Sequence, residues 1–171
     1  MDTTSSSDTR RVALVTGASR GIGCAIADAL AAAGHVVVGT ATSDMGAQAI
    51  DERLSARGGA GMRLNVADAD DVSVVLSAVA ERFGAPLVLV NNAGITRDNI
   101  LLRMKEDEWC DVIDTNLTSL YRVSKAALRG MTKARWGRIV NITSVVGAMG
   151  NAGQSNYAAT KAGAAGFTRA L

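Results

Sequence analysis

The stretch VTGASRGIG, Val15 to Gly23, constrains this chain more than any other. It carries three glycines, Gly17, Gly21 and Gly23, where an apolar run meets a helical pattern. The run VALVTG, Val12 to Gly17, predicts a buried strand. The following GIGCAIADALAAAG has helical spacing and closes at Gly34, a C-cap residue. Glycines at such a turn let the backbone approach a ligand closely, and a helix N-terminus supplies N–H groups and a positive dipole end. The spacing is G-x-x-x-G-x-G rather than the common G-x-G-x-x-G, but the physics is the same. The junction is therefore predicted to bind a phosphate group.

Behind it, strand-like runs alternate with helical patterns. HVVVGT is a second strand, and residues Gly46 to Arg57 a helix. GMRLNV is a third strand ending near Val66. DADDVSVVLSAVAERFG is a helix with an acidic first turn and an apolar stripe. PLVLVNNAG is a fully apolar fourth strand. A loop from Ile95 to Lys105 leads to a long helical region, Glu106 to Arg135, with a break expected near Thr115. GRIVNITS is a fifth strand, and a helix opens near Ser155. This order predicts an α/β fold: one domain, a Rossmann-type doubly wound parallel sheet with helices on both faces. Residues 11–171 form that domain, with 1–10 a disordered polar leader. The 48% hydrophobic content is enough to fill such a core.

Other functions recede. The formal charge of +2 gives no argument for nucleic acid. No stretch is long and apolar enough to span a bilayer, and the leader is not followed by a signal-peptide core. The expectation is a cytoplasmic protein. Cys24 and Cys110 are too few for a disulfide scaffold, and no metal site is expected. The single histidine, His35, falls in a turn between helix and strand and is not placed as the base of a hydrolase.

Proton chemistry must then use other groups, and Tyr157 with Lys161 stands out. Four residues apart on a helix, they share a face. A phenol, with an ordinary pKa of about 10, is poorly matched to neutral pH. A cation about 5 Å away, at an effective dielectric of about 20, stabilises its anion by roughly 3 kcal/mol. That brings a tyrosine toward the useful range. The residues also favour NADP over NAD. An NAD enzyme usually places an acid about 20 residues after the glycine loop. Gly39, Thr40, Ala41 and Thr42 stand there instead, and Arg20 is available to neutralise a 2′-phosphate.

TGASRGIG, NNAG (Asn91 to Gly94), Thr115-Asn116, NITS ending at Ser144, and YAATK (Tyr157 to Lys161) occur in an order and spacing that resembles the short-chain dehydrogenases/reductases. Within that family, NNAGITRDN and SVVGAMGNAGQSNYAATKAG are similar to the bacterial 3-oxoacyl-[acyl-carrier-protein] reductases of fatty acid synthesis. The resemblance implies NADPH-dependent ketone reduction. It implies catalytic Asn116, Ser144, Tyr157 and Lys161, with Ser144 also holding substrate. For the cofactor it implies Gly17, Ala18, Ser19, Arg20, Gly21, Ile22 and Gly23 at the phosphates, and Thr42 beside the 2′-phosphate. Asn65 and Val66 would flank the adenine. Asn92, Ala93 and Gly94 would line the cofactor further along, with Tyr157 and Lys161 at the nicotinamide ribose. Asn116 would join Lys161 through a water. The partner implied is an acidic acyl carrier protein, for which Arg129, Lys133 and Arg135 offer a basic cluster, and the assembly a homotetramer. The family continues with a sixth strand, a substrate-covering helical loop and a last strand. Without these the expectation is a truncated product, poorly stable and weakly active. Two alternatives stay open: a small-ketone or acetoacetyl-CoA reductase, and an inactive NADP-binding fragment.

Overall fold

A computed structural model describes residues 10–171. All but the last residue of the expected leader lie outside the described residues. Five strands form one parallel sheet in the order β3-β2-β1-β4-β5. They are β1 (Val12–Val15), β2 (Val36–Ala41), β3 (Ala60–Arg63), β4 (Val88–Asn91) and β5 (Arg138–Asn141). The helices are α1 (Gly21–Ala32), α2 (Asp44–Leu54), α3 (Ala69–Phe83), α4 (Glu106–Ile113), α5 (Ser119–Ala134), α6 (Val146–Met149) and α7 (Ser155–Ala170). The chain winds outward from β1 to β3, crosses back, and continues from β4 to β5. The strand order thus reverses between β1 and β4, where open α/β sheets receive ligands at their strand C-termini.

Alternation along the central strands divides the core. Leu14 and Leu89 face one side with Leu76, Val79 and Val123 of α3 and α5. Ala13, Val15, Val88 and Val90 face the other, with Ala27 of α1 and Ile50 and Leu54 of α2. Successive residues of β1 and β4 are buried whichever way they point, which is why both read as continuous apolar runs.

Several boundaries differ from expectation. The second helix begins two residues early, because the Ser43 hydroxyl accepts from Gly46 N–H at 3.1 Å and caps it. Its expected last three residues form a separate 3-10 turn, Ser55–Arg57. β3 stops at Arg63, not Val66. There the Asn65 side chain accepts from Ala67 N–H, and Asp71 accepts from Asn65 N–H, a local turn that outcompetes the ladder. The break near Thr115 is a π-helical turn, Asp114–Thr118, between α4 and α5. α6 had no counterpart in the sequence reading.

Candidate active site

The turn after β1 is built by hydrogen bonds that reach across the sheet. The Thr16 hydroxyl accepts from Asn92 N–H at 3.0 Å and Ala93 N–H at 3.1 Å, fastening the loop after β4 to the loop after β1. The Asn92 amide returns the contact, donating to the carbonyls of Thr16 and Gly17 at 3.0 Å each. Gly17 has φ +66, and a Cβ there would lie 3.0 Å from Ala93 Cα. A Cβ on Gly23 would strike the Gly17 carbonyl and the Asn92 amide. The glycines are needed because these two loops touch.

α1 starts at Gly21 with no side-chain cap and no acidic residue in its first turn. By contrast, Ser43 caps α2, Asp68 caps α3, and Glu108 closes back on the start of α4. Left without its own acceptor side chain, the α1 N-terminus beside a close-packed glycine loop fits a diphosphate. Arg20 and Ile22 are exposed there, and Ser19 with them. β2 runs out at Ala41, followed by exposed Thr42; the first acid after it, Asp44, sits 3.8 Å from Arg63. Asn65 is exposed on the same strand-end side of the sheet, whereas Val66 points into the core at 4% exposure. Any contact of Val66 with a nucleotide would therefore go through its backbone.

The second wall comes from β5 and α7. Ser144 follows β5 by three residues; its hydroxyl accepts from Val146 N–H at 3.2 Å and starts α6. Tyr157 lies in the first turn of α7, and Lys161 one turn on. The Lys161 Nζ is 5.6 Å from the centre of the Tyr157 ring, the spacing expected of two neighbours on one helical face. Lys161 is buried, and its ammonium donates to the Ile142 carbonyl at 2.7 Å. Burial lowers its pKa from the ordinary lysine value. α6 makes this burial possible by crossing α7 at Gly147, where a Cβ would lie 2.7 Å from the Lys161 backbone.

Asn116 sits in the π turn, fully enclosed. Its Oδ1 accepts from Ile95 N–H and its Nδ2 donates to Ile95 C=O, both at 2.8 Å. The amide engages the backbone rather than Lys161. The widened turn aims this side chain at the loop after β4, and π turns recur where a helix must redirect a polar group.

Arg20, Ile22, Asn92, Gly94, Ser144, Tyr157 and Lys161 line one cleft of about 580 Å³, together with Ile95, Thr96, Arg97, Ile142 and Thr143. Two residues outside the sequence reading help to shape it. Thr16 is one. Asn156 is the other: fully buried, it donates to the Arg97 carbonyl at 2.9 Å and accepts from Tyr157 N–H at 2.7 Å. It ties the loop after β4 to the start of α7. The basic cluster does not join the cleft. Arg129, Lys133 and Arg135 lie at the end of α5 that leads into β5, so they sit at the opposite end of the sheet from Ser144. Arg129 and Lys133 instead line a groove of about 690 Å³ between α3 and α5, which includes none of Ser144, Tyr157 and Lys161. Among the described residues, no group of three or more His, Cys, Asp or Glu is arranged for a metal ion. No described helix is long and apolar enough to cross a membrane.

The chain is similar to known proteins in sequence and in fold. 3-Oxoacyl-[acyl-carrier-protein] reductase FabG of Pseudomonas aeruginosa is 66% identical over 163 residues, covering 94% of this chain and 66% of the relative. The enzymes of the same description from Vibrio cholerae and Escherichia coli K12 are 62% and 59% identical over 161 residues, with the same coverage. The chain thus spans just under two thirds of the length of these relatives. The crystal structure of a variant actinorhodin polyketide ketoreductase with NADPH superposes with a TM-score of 0.91 at 38% identity, covering 95% of this chain and 64% of the other. The short chain dehydrogenase family model matches residues 11–171, from the residue before β1 through the whole of the cleft. By sequence and by fold, the chain belongs to the short chain dehydrogenases.

Proposed function

We propose that the chain carries the cofactor and proton-transfer machinery of an NADPH-dependent 3-oxoacyl-[acyl-carrier-protein] reductase. The observation behind this reading is the convergence of Ser144, Tyr157 and Lys161 with the glycine loop on one cleft. The names of the relatives supply the substrate class, and the NADPH complex of the ketoreductase supports the choice of cofactor. The missing acid after β2 and the exposed Arg20 point the same way.

In this reading Gly17 and Ala18 shape the loop, the N–H groups from Ser19 to Gly23 receive the diphosphate, Arg20 and Thr42 the 2′-phosphate, and Asn65 and Val66 the adenine side. Asn92, Ala93 and Gly94 line the next part of the cofactor. When bound, NADPH supplies a hydride to the substrate's carbonyl carbon. The Ser144 hydroxyl donates to the carbonyl oxygen and holds it where negative charge develops. Tyr157 gives its phenolic proton to that oxygen as the alkoxide forms, producing the 3-hydroxyacyl thioester. The Lys161 ammonium stabilises the phenolate left behind. Asn116 keeps the loop after β4 in register with α5 and ends a route by which a water could return the proton.

A carrier-protein partner, a homotetramer and a cytoplasmic setting belong to the same proposal and rest on the family resemblance. With the basic cluster at the far end of the sheet, a carrier bound there would not border this chain's own cleft. The test is turnover of a 3-oxoacyl carrier-protein thioester and of the matching CoA thioester, each with NADPH and with NADH. The expected order has the highest kcat/KM for the carrier thioester with NADPH. Equal or better use of NADH would overturn the cofactor choice. A preference for the CoA thioester would make the protein a reductase of small acyl thioesters instead.

A further inference from the structure

Arg53 of α2 lies 35 residues from the glycine loop in sequence, yet it grips that loop. Its Nη2 donates to the Ala18 carbonyl at 3.0 Å, and its Nε donates to Asp28 Oδ1 of α1 at 2.8 Å. The guanidinium thus uses two edges of its planar fork, one on a carboxylate and one on the loop backbone, a spacing that the single ammonium nitrogen of a lysine does not reproduce. Asp28 also receives the Cys24 thiol at 3.8 Å, a weaker contact. The Arg53 side chain is 28% exposed and the Asp28 side chain 48%, so the ion pair is partly shielded from solvent.

What this does to the loop follows from peptide geometry. Ala18 is completely buried, and its own N–H donates to the Thr40 carbonyl at 2.8 Å. No peptide in the described chain is cis. In a planar trans peptide the carbonyl and the following N–H point to opposite sides. A guanidinium holding the Ala18 carbonyl therefore turns the Ser19 N–H the other way. Asn92 already holds the carbonyls of Thr16 and Gly17. Arg53 takes the third in succession, from the opposite flank.

We propose that Arg53, braced by Asp28, is a positioning residue that locks the Ala18–Ser19 peptide with its N–H directed toward the diphosphate of the cofactor. The proposal rests on the cofactor reading above. It assigns Arg53 no contact with the cofactor, only control of the loop that makes one.

The test combines amide hydrogen exchange on the free protein with NADPH titration, for wild type, Arg53→Leu, Arg53→Lys and Asp28→Asn. In Arg53→Leu the amide of Ala18, which is bonded to the Thr40 carbonyl, should exchange about tenfold faster, with β1 and β4 unchanged, and the NADPH Kd should rise about tenfold. KM for NADPH should rise with kcat held. Arg53→Lys and Asp28→Asn should fall between this variant and wild type. Unchanged loop exchange in Arg53→Leu overturns the proposal. So does equal acceleration through β1 and β4, which would mark a general loss of stability. If wild type fails to bind NADPH, the cofactor reading falls, and the exchange measurement still decides whether Arg53 holds the loop.

Discussion

The two walls of the cleft are built differently. On the β1–β4 side every strand residue is buried, and the loops are cross-fastened by Thr16, Asn92 and Arg53. On the β5–α7 side, exposed and half-buried residues alternate along the strand, and Ser144 and Tyr157 stand half-buried. Val145 and Met149, beside Ser144, are 73% and 84% exposed. The nucleotide wall is thus preformed by internal hydrogen bonds. The reacting wall hangs on fewer fastenings, chiefly the docking of α7 through Lys161 and Asn156. Damage to the first should appear as lost stability and binding, and damage to the second as lost chemistry.

The largest separation is expected for Tyr157→Phe. It removes the proposed proton donor from the exposed wall and touches no fastening of the other. Ketone reduction should fall at least about a thousandfold, while NADPH binding and thermal stability stay near wild type. Substantial residual turnover would remove Tyr157 from the mechanism. A matching loss of NADPH affinity would mean that the walls are not separable.

Thr16→Val strikes the nucleotide wall in the complementary way. The shape is kept, but the N–H groups of Asn92 and Ala93 lose their acceptor. The expected cost is about 2–4 kcal/mol of folding stability, read from denaturant midpoints at constant slope. NADPH affinity should drop with it. An unchanged midpoint would show that the two loops are held together by something other than this hydroxyl.

Lys161 is the one ionisable group buried in the reacting wall, and it makes a prediction with a pH signature. Burial lowers its pKa in the folded chain below the ordinary 10.5. Below the folded value both states carry the proton, so the cost of burying the ammonium is fully present. Between the folded value and 10.5 the unfolded chain binds the extra proton, and stability rises with pH. Lys161→Met should abolish turnover yet leave the fold more stable than wild type at neutral pH. That advantage should shrink as pH approaches 10.5. A variant less stable than wild type at every pH would show that the bond to the Ile142 carbonyl outweighs the burial cost.

The same contrast explains which features could be read from the chain alone. Strands, helices and the glycine turn announce themselves through local periodicity, and the Asn116, Ser144, Tyr157 and Lys161 set through spaced motifs. β3 was read too long because its end is decided by the side chains of Asn65 and Asp71, not by hydrophobicity. α6 is four residues long, too short to show a period. The brace from Thr16 spans 76 residues to Asn92, so no local pattern marks it. Arg129, Lys133 and Arg135 are three basic residues within seven positions of the sequence. Helical spacing puts Arg129 and Lys133 on one face of α5, with Arg135 its left-handed C-cap, but only the fold shows at which end of the sheet they lie.

The smallest expected effect tests the comparison most directly, at Val90 and Val140. These residues are paired across β4 and β5 in the same register. Val90 is 3% exposed and Val140 46%. Replacing each with Thr keeps the β-branched shape and adds one hydroxyl. At Val90 the hydroxyl enters the core, and a loss of about 1–3 kcal/mol is expected. At Val140 it meets solvent, and stability should change by no more than about 0.5 kcal/mol. The two variants share strand geometry, propensity and chemistry, so the difference between them isolates burial. If Val140→Thr costs as much as Val90→Thr, the outer face of β5 is covered in solution, and the openness of the reacting wall is a property of the isolated chain rather than of the working protein.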